Sequence, residues 1–203
     1  LYAKNIVVPP KVYGQHRDSL EGGYVKAPIV ALYKWVLSFD LASLYPHIMM
    51  QYNISPETVV DQSIRGYTVD DFLDKTPMVF DKEKYSLTAR GNHFRKDKLG
   101  IIPEIIDGFY DKRKAAVKSM LALEQDRDDL KDGSVEDIYA LDRQIVTLNN
   151  EQMAIKILMN SLYGATSNEY FRYFDLRMAE SITLTGQLTI RWVEKAINKY
   201  LNE

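Results

Sequence analysis

Apolar side chains recur at steps of three and four residues along two long stretches in the second half of the chain. In the first stretch these positions are Ile102, Ile105, Phe109, Ala116, Met120, Leu123 and Leu130, with Lys112 and Arg127 in the two gaps of the pattern. In the second, with glutamine as the polar exception, they are Ile138, Leu141, Ile145, Leu148, Gln152, Ile155, Met159 and Leu162. The pattern predicts two helices, each about 40 Å long, that pack antiparallel through a turn at residues 131–134.

Residues suited to helix ends support this predicted hairpin. Pro103 and Glu104 fit the first turn of the first helix, where proline needs no hydrogen-bond partner and an acid faces the positive end of the dipole. Ser134 and Asp137 resemble a capping box for the second helix. Gly164 then predicts its C-terminal stop.

Two further helices are predicted from caps and periodicity. Thr68 with Asp71 three residues later is typical of a capped helix start. Asp175 is predicted to cap a last helix that runs to about Leu201, with apolar residues at Ile182, Leu188, Trp192 and Ile197. Because this pattern explains Asp70 and Asp71 as residues of a helix start, we do not interpret them as a metal-binding pair.

The stretch before the first predicted helix holds the clearest candidate for chemistry. Residues 34–39 are β-prone and predict a strand that delivers Asp40 at its end. Pro46 suits a first helical turn, so a helix should begin near Ser43 or Leu44. A carboxylate can hold a hard divalent cation, and the free N–H groups of a helix start can face phosphate oxygens. Alternatively, Asp40 is an ordinary exposed acid at a strand–helix junction.

A second candidate lies on the last helix of the predicted hairpin. Lys156, Asn160 and Tyr163 are spaced so that a helix places them within about 60° of one another. A lysine, an amide and an aromatic ring on one stripe can contact a triphosphate, a polar edge and the face of a base pair. The alternative is a solvated helix flank.

Composition narrows the class of protein. At 203 residues with 46% hydrophobic content, the chain can form one large domain or two small ones, and no apolar run is long enough to span a membrane. The absence of cysteine excludes disulfides and thiolate metal sites. The chain opens on Leu1 without a secretory signal, which suggests a fragment of a longer protein.

Charge is distributed unevenly along the predicted hairpin, although the net charge is only −2. Residues 90–118 contain eight basic and four acidic side chains, whereas residues 119–137 contain two basic and seven acidic ones. The base of the hairpin can therefore approach phosphates, and its tip should not.

Two ordered motifs identify a resemblance. The run Asp40-Leu41-Ala42-Ser43-Leu44-Tyr45-Pro46 and the later run Lys156-Ile157-Leu158-Met159-Asn160-Ser161-Leu162-Tyr163-Gly164 resemble motifs A and B of family B (α-like) DNA polymerases. Residues 25–28, 53–58 and 171–173 are most similar to the replicative polymerases of T-even-type bacteriophages. The resemblance covers nearly the whole chain.

The resemblance implies an α+β fold that combines part of a polymerase palm, a β-sheet with packed helices, with a long two-helix fingers hairpin. Residues 1–100 would form the first part of the palm with motif A, residues 101–167 the fingers with motif B, and residues 168–203 a returning palm helix. The third motif, a β-hairpin ending in Asp-Thr-Asp, is not in the sequence, and neither are the thumb and exonuclease domains. The fragment alone would thus be inactive.

The resemblance also implies roles for the motif A residues. Asp40 would be catalytic and bind both of two Mg²⁺ ions, and the Leu41 carbonyl would bind one of them. Ser43 and Leu44 would offer N–H groups to the phosphates. Tyr45 would lie beneath the sugar, where its ring leaves no space for a 2′-hydroxyl. His47 departs from the serine common in the family and is interpreted as a local variation.

Further roles are implied for the hairpin and the chain start. Lys156, also catalytic, and Arg113 would contact the phosphates of the incoming nucleotide, with Lys114 or Lys118 as the second basic contact. Asn160 would lie beside the nucleotide, and Tyr163 with Gly164 would pack near the nascent base pair. The Gly22–Gly23 pair would approach the template strand; a plain hairpin turn is the alternative.

These inferences predict a DNA-directed DNA polymerase fragment that transfers deoxynucleotides to a primer 3′-hydroxyl by two-metal chemistry. Its partners would be primer–template DNA, deoxynucleoside triphosphates and a sliding clamp, with no membrane, in the cytoplasm of an infected bacterium. A non-catalytic nucleotide- or DNA-binding module is the alternative. An RNA polymerase or reverse transcriptase fits the Asn-Ser-x-Tyr-Gly helix poorly.

Overall fold

The computed structural model describes Val7, Pro10 and residues 22–60, 67–130 and 134–202. In chain order its elements are α1 (Leu44–Gln51), α2 (Val69–Leu73), β1 (Tyr85–Leu87), β2 (His93–Arg95), α3 (Ile101–Asp129), α4 (Val135–Thr166) and α5 (Leu176–Asn202). This mixture of helix and sheet agrees with the predicted α+β class. None of the helices described has the length and apolar composition that a membrane span requires.

The chain divides into two compact units. The first unit combines Leu1–Pro103 with Tyr163–Glu203, and the second is Glu104–Leu162. Both sequence motifs therefore contribute to the first unit, because motif B ends with Tyr163 and Gly164. The remainder of motif B belongs to the second unit.

The first half of α5 is the centre of the first unit. Both α1 and α2 pack against this helix, whose Met178 and Ile182 are fully buried. Hydroxyl groups on the same buried stretch bind the β1–β2 connection: Thr88 Oγ1 donates to Ser181 Oγ at 2.9 Å, and Thr185 Oγ1 accepts from the Ala89 N–H at 3.2 Å. Apolar packing and paired hydroxyl groups thus hold the connection between β1 and β2 on α5.

The resemblance implied a β-sheet, but no pattern in the sequence predicted strands at the positions where the structure has them. Strands β1 and β2 pair antiparallel, with Tyr85 opposite Arg95. The turn between them is closed by a hydrogen bond from the Gly91 N–H to the Thr88 carbonyl at 2.8 Å, and Gly91 has a positive φ of 86°. Each strand has only three residues, too few to show an alternating pattern.

The predicted strand over residues 34–39 is wrong. This segment is extended chain without strand pairing, and its large side chains are exposed, with Trp35 at 90% and Val36 at 78%. A strand forms only when a neighbouring strand pairs with its N–H and C=O groups. No described residue supplies that pairing, so the β-prone side chains alone do not produce a strand.

Two side chains from an earlier loop anchor the start of α3. Asn53, which has a positive φ of 56°, accepts from the Gly100 N–H at 2.8 Å and donates to the Lys98 carbonyl at 2.8 Å. A Glu57 carboxylate oxygen accepts from the Ile101 N–H. These bonds satisfy N–H groups that a helix start leaves without partners.

In the second unit, side-chain contacts join α3 and α4 in reverse order. Arg113 hydrogen-bonds Gln152, whereas Arg127, later on α3, hydrogen-bonds Asp142, earlier on α4. This order is that of two antiparallel helices. Most of the turn proposed between them, residues 131–133, lies outside the described residues.

The periodic positions are mostly buried or half-buried, with two corrections, and the predicted end of the second helix also differs. Ile105 is 41% exposed and its neighbour Ile106 is fully buried instead. Phe109 and Ile155, two of the periodic positions predicted to lie between the helices, are only half-buried. The helix also continues through Gly164 to Thr166, because this glycine keeps a helical backbone instead of the left-handed conformation of a C-terminal stop.

The predicted caps are confirmed at three helix starts. Thr68 and Asp71 form a complete capping box at α2. Ser134 Oγ accepts from the Asp137 N–H at 3.1 Å at the start of α4. Asp175 Oδ1 accepts from the Arg177 N–H at 2.9 Å at the start of α5. Caps are local in sequence, which explains why sequence alone locates them.

The adjacent pair Ile105 and Ile106 offers a test of this packing. Ile106→Ala should lower the free energy of unfolding by about 2–5 kcal/mol, because a fully buried side chain leaves a cavity when truncated. Ile105→Ala is the matched control and should change it by less than about 1 kcal/mol. Urea unfolding followed by circular dichroism measures both. Equal losses in the two variants would contradict the assignment of faces.

Candidate functional site

Asp40 lies at the end of the exposed extended segment, immediately before the turn into α1. Its side chain is exposed, and Leu41 is 38% exposed. Ser43 is the N-cap of α1 with a left-handed backbone (φ 53°, ψ 41°), and its side chain makes no capping hydrogen bond. The prediction of a helix start near Ser43 or Leu44 is confirmed, since α1 begins at Leu44, but Asp40 follows an extended segment instead of a strand.

His47 has a defined contact at this junction that the sequence analysis did not foresee. Its Nδ1 lies 2.9 Å from the Ser43 carbonyl oxygen. Since that oxygen can only accept, Nδ1 must carry the hydrogen. The same carbonyl accepts the His47 backbone N–H at 3.1 Å. His47 therefore holds the left-handed turn that links Asp40 to α1.

Tyr45 brings residues from distant parts of the sequence together. Its ring centroid lies 4.8 Å from that of Tyr163, at an interplanar angle of 58°. Gly23 approaches its hydroxyl group, and Gly186 of α5 approaches its ring edge. Three of the predicted site residues, Gly23, Tyr45 and Tyr163, thus meet within the first unit.

Partial burial perturbs both tyrosines of this contact. Burial raises the pKa of the Tyr45 hydroxyl above its ordinary value. For Tyr163, burial is the larger cause of a raised pKa, and proximity to Tyr45 is the second. Both hydroxyls are therefore neutral near pH 7 and can donate a hydrogen bond.

These raised pKa values predict a loss of stability in alkali. The folded state keeps the two protons at a pH where the unfolded state releases them, so stability is fully present below pH 10 and falls as the pH rises above it. Tyr45→Phe keeps the ring and removes the ionisable group. Thermal unfolding between pH 8 and pH 11 should thus show a shallower decline in Tm for Tyr45→Phe than for the unaltered chain. Identical slopes would contradict the perturbed titration.

The segment that carries Gly22 and Gly23 is held on α5. Gln187 Nε2 donates to the Gly22 carbonyl at 2.7 Å. Lys26 forms an ion pair with Glu194, which raises the pKa of the lysine, and the Arg191 guanidinium lies 5.8 Å from the Tyr24 ring centre. Residues 24–40, which the structure describes, contain no strand. The alternative that Gly22 and Gly23 form the turn of a β-hairpin is therefore wrong.

Arg113, one of the two predicted phosphate contacts on the hairpin, contacts α4 through a side-chain hydrogen bond. Arg113 Nε donates to Gln152 Oε1 at 3.2 Å, and Gln152 is only 7% exposed. Lys156 follows Gln152 by about one helical turn, and both Lys156 and Asn160 are exposed. Gln152 was predicted to lie in the interface, but its role as the partner of Arg113 was not.

Asp70 and Asp71, the two acids in the first turn of α2, both have structural partners. Asp71 belongs to the capping box, and Thr68 lowers its pKa through the backbone and side-chain hydrogen bonds that it donates. Asp70 forms an ion pair with Arg191. These contacts agree with their interpretation as residues of a helix start.

Asp40 and Leu41 present donor atoms of a type suited to a metal ion. A carboxylate and a backbone carbonyl are oxygen donors of the kind that Mg²⁺ takes. The donor types of Asp40 and Leu41 therefore fit a divalent cation. Across the described residues, however, no group of three or more His, Asp or Glu side chains could hold a metal ion.

Comparison with known proteins places this geometry in context. The chain is 33% identical to the DNA-directed DNA polymerase of Escherichia phage RB69, over 90% of this chain and 24% of that polymerase. It is also 33% identical to the DNA-directed DNA polymerase of Enterobacteria phage T4, over 100% of this chain and 26% of that polymerase. DNA polymerase 1 of Pyrococcus abyssi is 30% identical over 89% of this chain. The chain thus spans about a quarter of the length of its phage relatives.

The family comparison covers the chain completely. The model of DNA polymerase family B matches residues 1–203. That range includes the junction at Asp40, the Tyr45–Tyr163 contact and the exposed Lys156 and Asn160 of α4. The agreement of motifs, relatives and family model over one range has a single explanation: this chain belongs to DNA polymerase family B.

Proposed function

We propose that the chain is the nucleotide-binding part of a DNA-directed DNA polymerase, which transfers deoxynucleotides to a primer 3′-hydroxyl under the direction of a template. The contact between Tyr45 and Tyr163 carries this proposal. It joins the ends of two sequence motifs that are far apart along the chain. A contact of this kind is expected if both motifs serve one substrate.

In this proposal the junction before α1 binds the triphosphate and its metal ions. Asp40 and the Leu41 carbonyl would supply oxygen ligands for two Mg²⁺ ions, and the other ligands would come from elsewhere in the complete polymerase. When bound, such ions activate the primer hydroxyl and neutralise the charge of the phosphates. The N–H groups of Ser43 and Leu44 face phosphate oxygens.

The remaining site residues bind the nucleotide and the DNA. Lys156 and Arg113 contact the phosphates through charge-assisted hydrogen bonds. Asn160 lies beside the nucleotide. Tyr163 and Gly164 contact the nascent base pair, and the Gly22–Gly23 segment, held on α5 through Gln187, contacts the template strand.

The proposal also assigns the larger organisation. Residues 1–100 and 168–203 belong to the palm, and residues 101–167 form the fingers as an antiparallel helical hairpin. The compact unit Glu104–Leu162 lies within the proposed fingers. The proposal further holds that the complete polymerase acts with a sliding clamp in the cytoplasm of an infected bacterial host. The similarity to DNA polymerases of two phages supports the viral host.

Nucleotide affinity tests the proposed phosphate contacts. In a full-length polymerase that contains this chain, Lys156→Ala and Arg113→Ala should each weaken triphosphate binding by about 1.5–3 kcal/mol, because each removes a charge-assisted hydrogen bond. Steady-state kinetics with varied deoxynucleotide measures the change in kcat/KM.

Arg143→Ala is the matched control for this prediction. Arg143 is an exposed cation on α4, more than three helical turns from Lys156. Its replacement should leave the nucleotide kcat/KM within about twofold, as is usual for a surface substitution. Unchanged kinetics in both Lys156→Ala and Arg113→Ala would refute the assignment of this unit to nucleotide binding.

A further inference from the structure

Gly186 occupies a position in α5 where a glycine needs a physical explanation. It lies in the buried first half of a long helix, where glycine is unfavourable relative to alanine. Among the described glycines only Gly91 has a positive φ, so the backbone conformation of Gly186 does not require glycine. The remaining explanation is the close approach of another group.

That group is the ring of Tyr45. A Cβ atom built on Gly186 would lie 2.8 Å from Tyr45 Cε1 and 3.6 Å from its Cδ1, with Ile48 Cδ1 at 3.8 Å. Carbon atoms in contact prefer separations of about 3.5–4.0 Å. The atom that a methyl group would meet belongs to a rigid ring, so the whole ring would have to shift.

Other residues restrict where the ring can go. A Cβ atom on Gly23 would lie 3.1 Å from the Tyr45 hydroxyl oxygen, and the Tyr163 ring packs at 4.8 Å between centroids. The ring is therefore bounded by Gly186 at its edge, Gly23 at its hydroxyl and a second aromatic ring. The absence of a side chain at Gly186 lets Tyr45 lie this close to α5.

We infer that Gly186 is a positioning residue for nucleotide selection, which sets the depth of the Tyr45 ring against α5. This inference rests on the proposed role of Tyr45 beneath the sugar. A methyl group at position 186 displaces the ring away from α5 and into the space that the sugar needs. Deoxynucleotide binding should then weaken, while the chemical step, which Tyr45 does not perform, is less affected.

The experiment is a double-mutant cycle in a full-length polymerase that contains this chain. Gly186→Ala should raise the deoxynucleotide KM about tenfold and leave kcat within about threefold. In a Tyr45→Ala background the same substitution should change KM by less than about twofold, because the ring that the methyl displaces is gone. Gly108→Ala is the control, since its added Cβ would meet no atom within 4 Å.

The outcomes distinguish a role of Gly186 in positioning Tyr45 from the lack of such a role and from an effect of unfolding. An equal KM change in both backgrounds, or none in either, overturns the role of Gly186. Partial unfolding lowers the amount of active enzyme and hence kcat, so a true rise in KM cannot come from it. If Gly186→Ala does not fold at all, Gly23→Ala provides the second variant, because it acts on the same ring from an exposed position and should show the same dependence on Tyr45.

Failure of the proposed function would be recognised separately. If the unaltered polymerase does not extend a primer, or if Tyr45→Ala leaves the preference for deoxy- over ribonucleotides unchanged, the function proposed for Tyr45 fails. If both of these tests succeed and Gly186→Ala leaves KM unchanged, only the inference about Gly186 fails.

Discussion

Asp40→Asn in a full-length polymerase that contains this chain should reduce primer extension by at least about 10²–10³-fold, the range seen when one electrostatic group is removed from an active site. Asparagine preserves the size of the side chain and removes its charge, so the loss would report on charge instead of packing. The exposure of Asp40 makes an effect on folding small. Primer extension with radiolabelled or fluorescent primers measures the rate.

Asp70→Asn is the matched control, because it removes an exposed acid whose partner is Arg191 on the protein surface. Its extension rate should stay within about threefold of the unaltered enzyme. The 203-residue chain alone should show no magnesium-dependent extension, because Asp40 is the one acid proposed as a ligand and a single acid cannot position two metal ions. Robust extension by the isolated chain, or by Asp40→Asn, would favour a different catalytic centre.

Tyr45→Ala should admit ribonucleotides. A ring beneath the sugar excludes a 2′-hydroxyl by volume, and forced overlap of this kind costs about 1–3 kcal/mol, equivalent to a discrimination of about 5- to 200-fold. Removal of the ring should lower the ratio of deoxy- to ribonucleotide kcat/KM by this factor. Incorporation of deoxynucleotides should be comparatively preserved.

Two variants make the test specific to the ring. Tyr45→Phe keeps the ring and should retain the discrimination, because the hydroxyl has no part in a steric mechanism. Tyr139→Ala removes an exposed tyrosine of α4 and should leave the ratio unchanged. If Tyr45→Ala instead slows both reactions equally, its ring serves only packing against Tyr163 and α5.

The helical part of the protein was predictable from sequence because its signals are local. The spacing of Ile145, Gln152 and Met159 indicates a buried face that the structure retains, and the caps at Thr68 and Asp175 bind N–H groups only two or three residues away. Such interactions depend on neighbouring residues, so the sequence contains the whole of the information needed.

Local signals failed where pairing with a distant segment decides the structure. Residues 34–39 have strong β-propensity, yet without a paired strand they remain extended and exposed. The strands around Ser86 and Phe94 show no such pattern, yet they pair and are held on α5 by Thr88. Propensity therefore misassigned residues 34–39 and gave no signal for the paired strands, since strand formation depends on an available partner more than on side-chain type.

The candidate site likewise has features that could be predicted from the sequence and features that depend on the tertiary structure. The sequence by itself determined which residues are chemically suited to the site, including Asp40, Lys156 and Tyr163, because the two motifs are each continuous in the chain. Only the tertiary structure decided that Tyr45 meets Tyr163 and lies against Gly186. That contact requires α1, the end of α4 and the middle of α5 to converge, and convergence depends on packing between segments far apart in sequence.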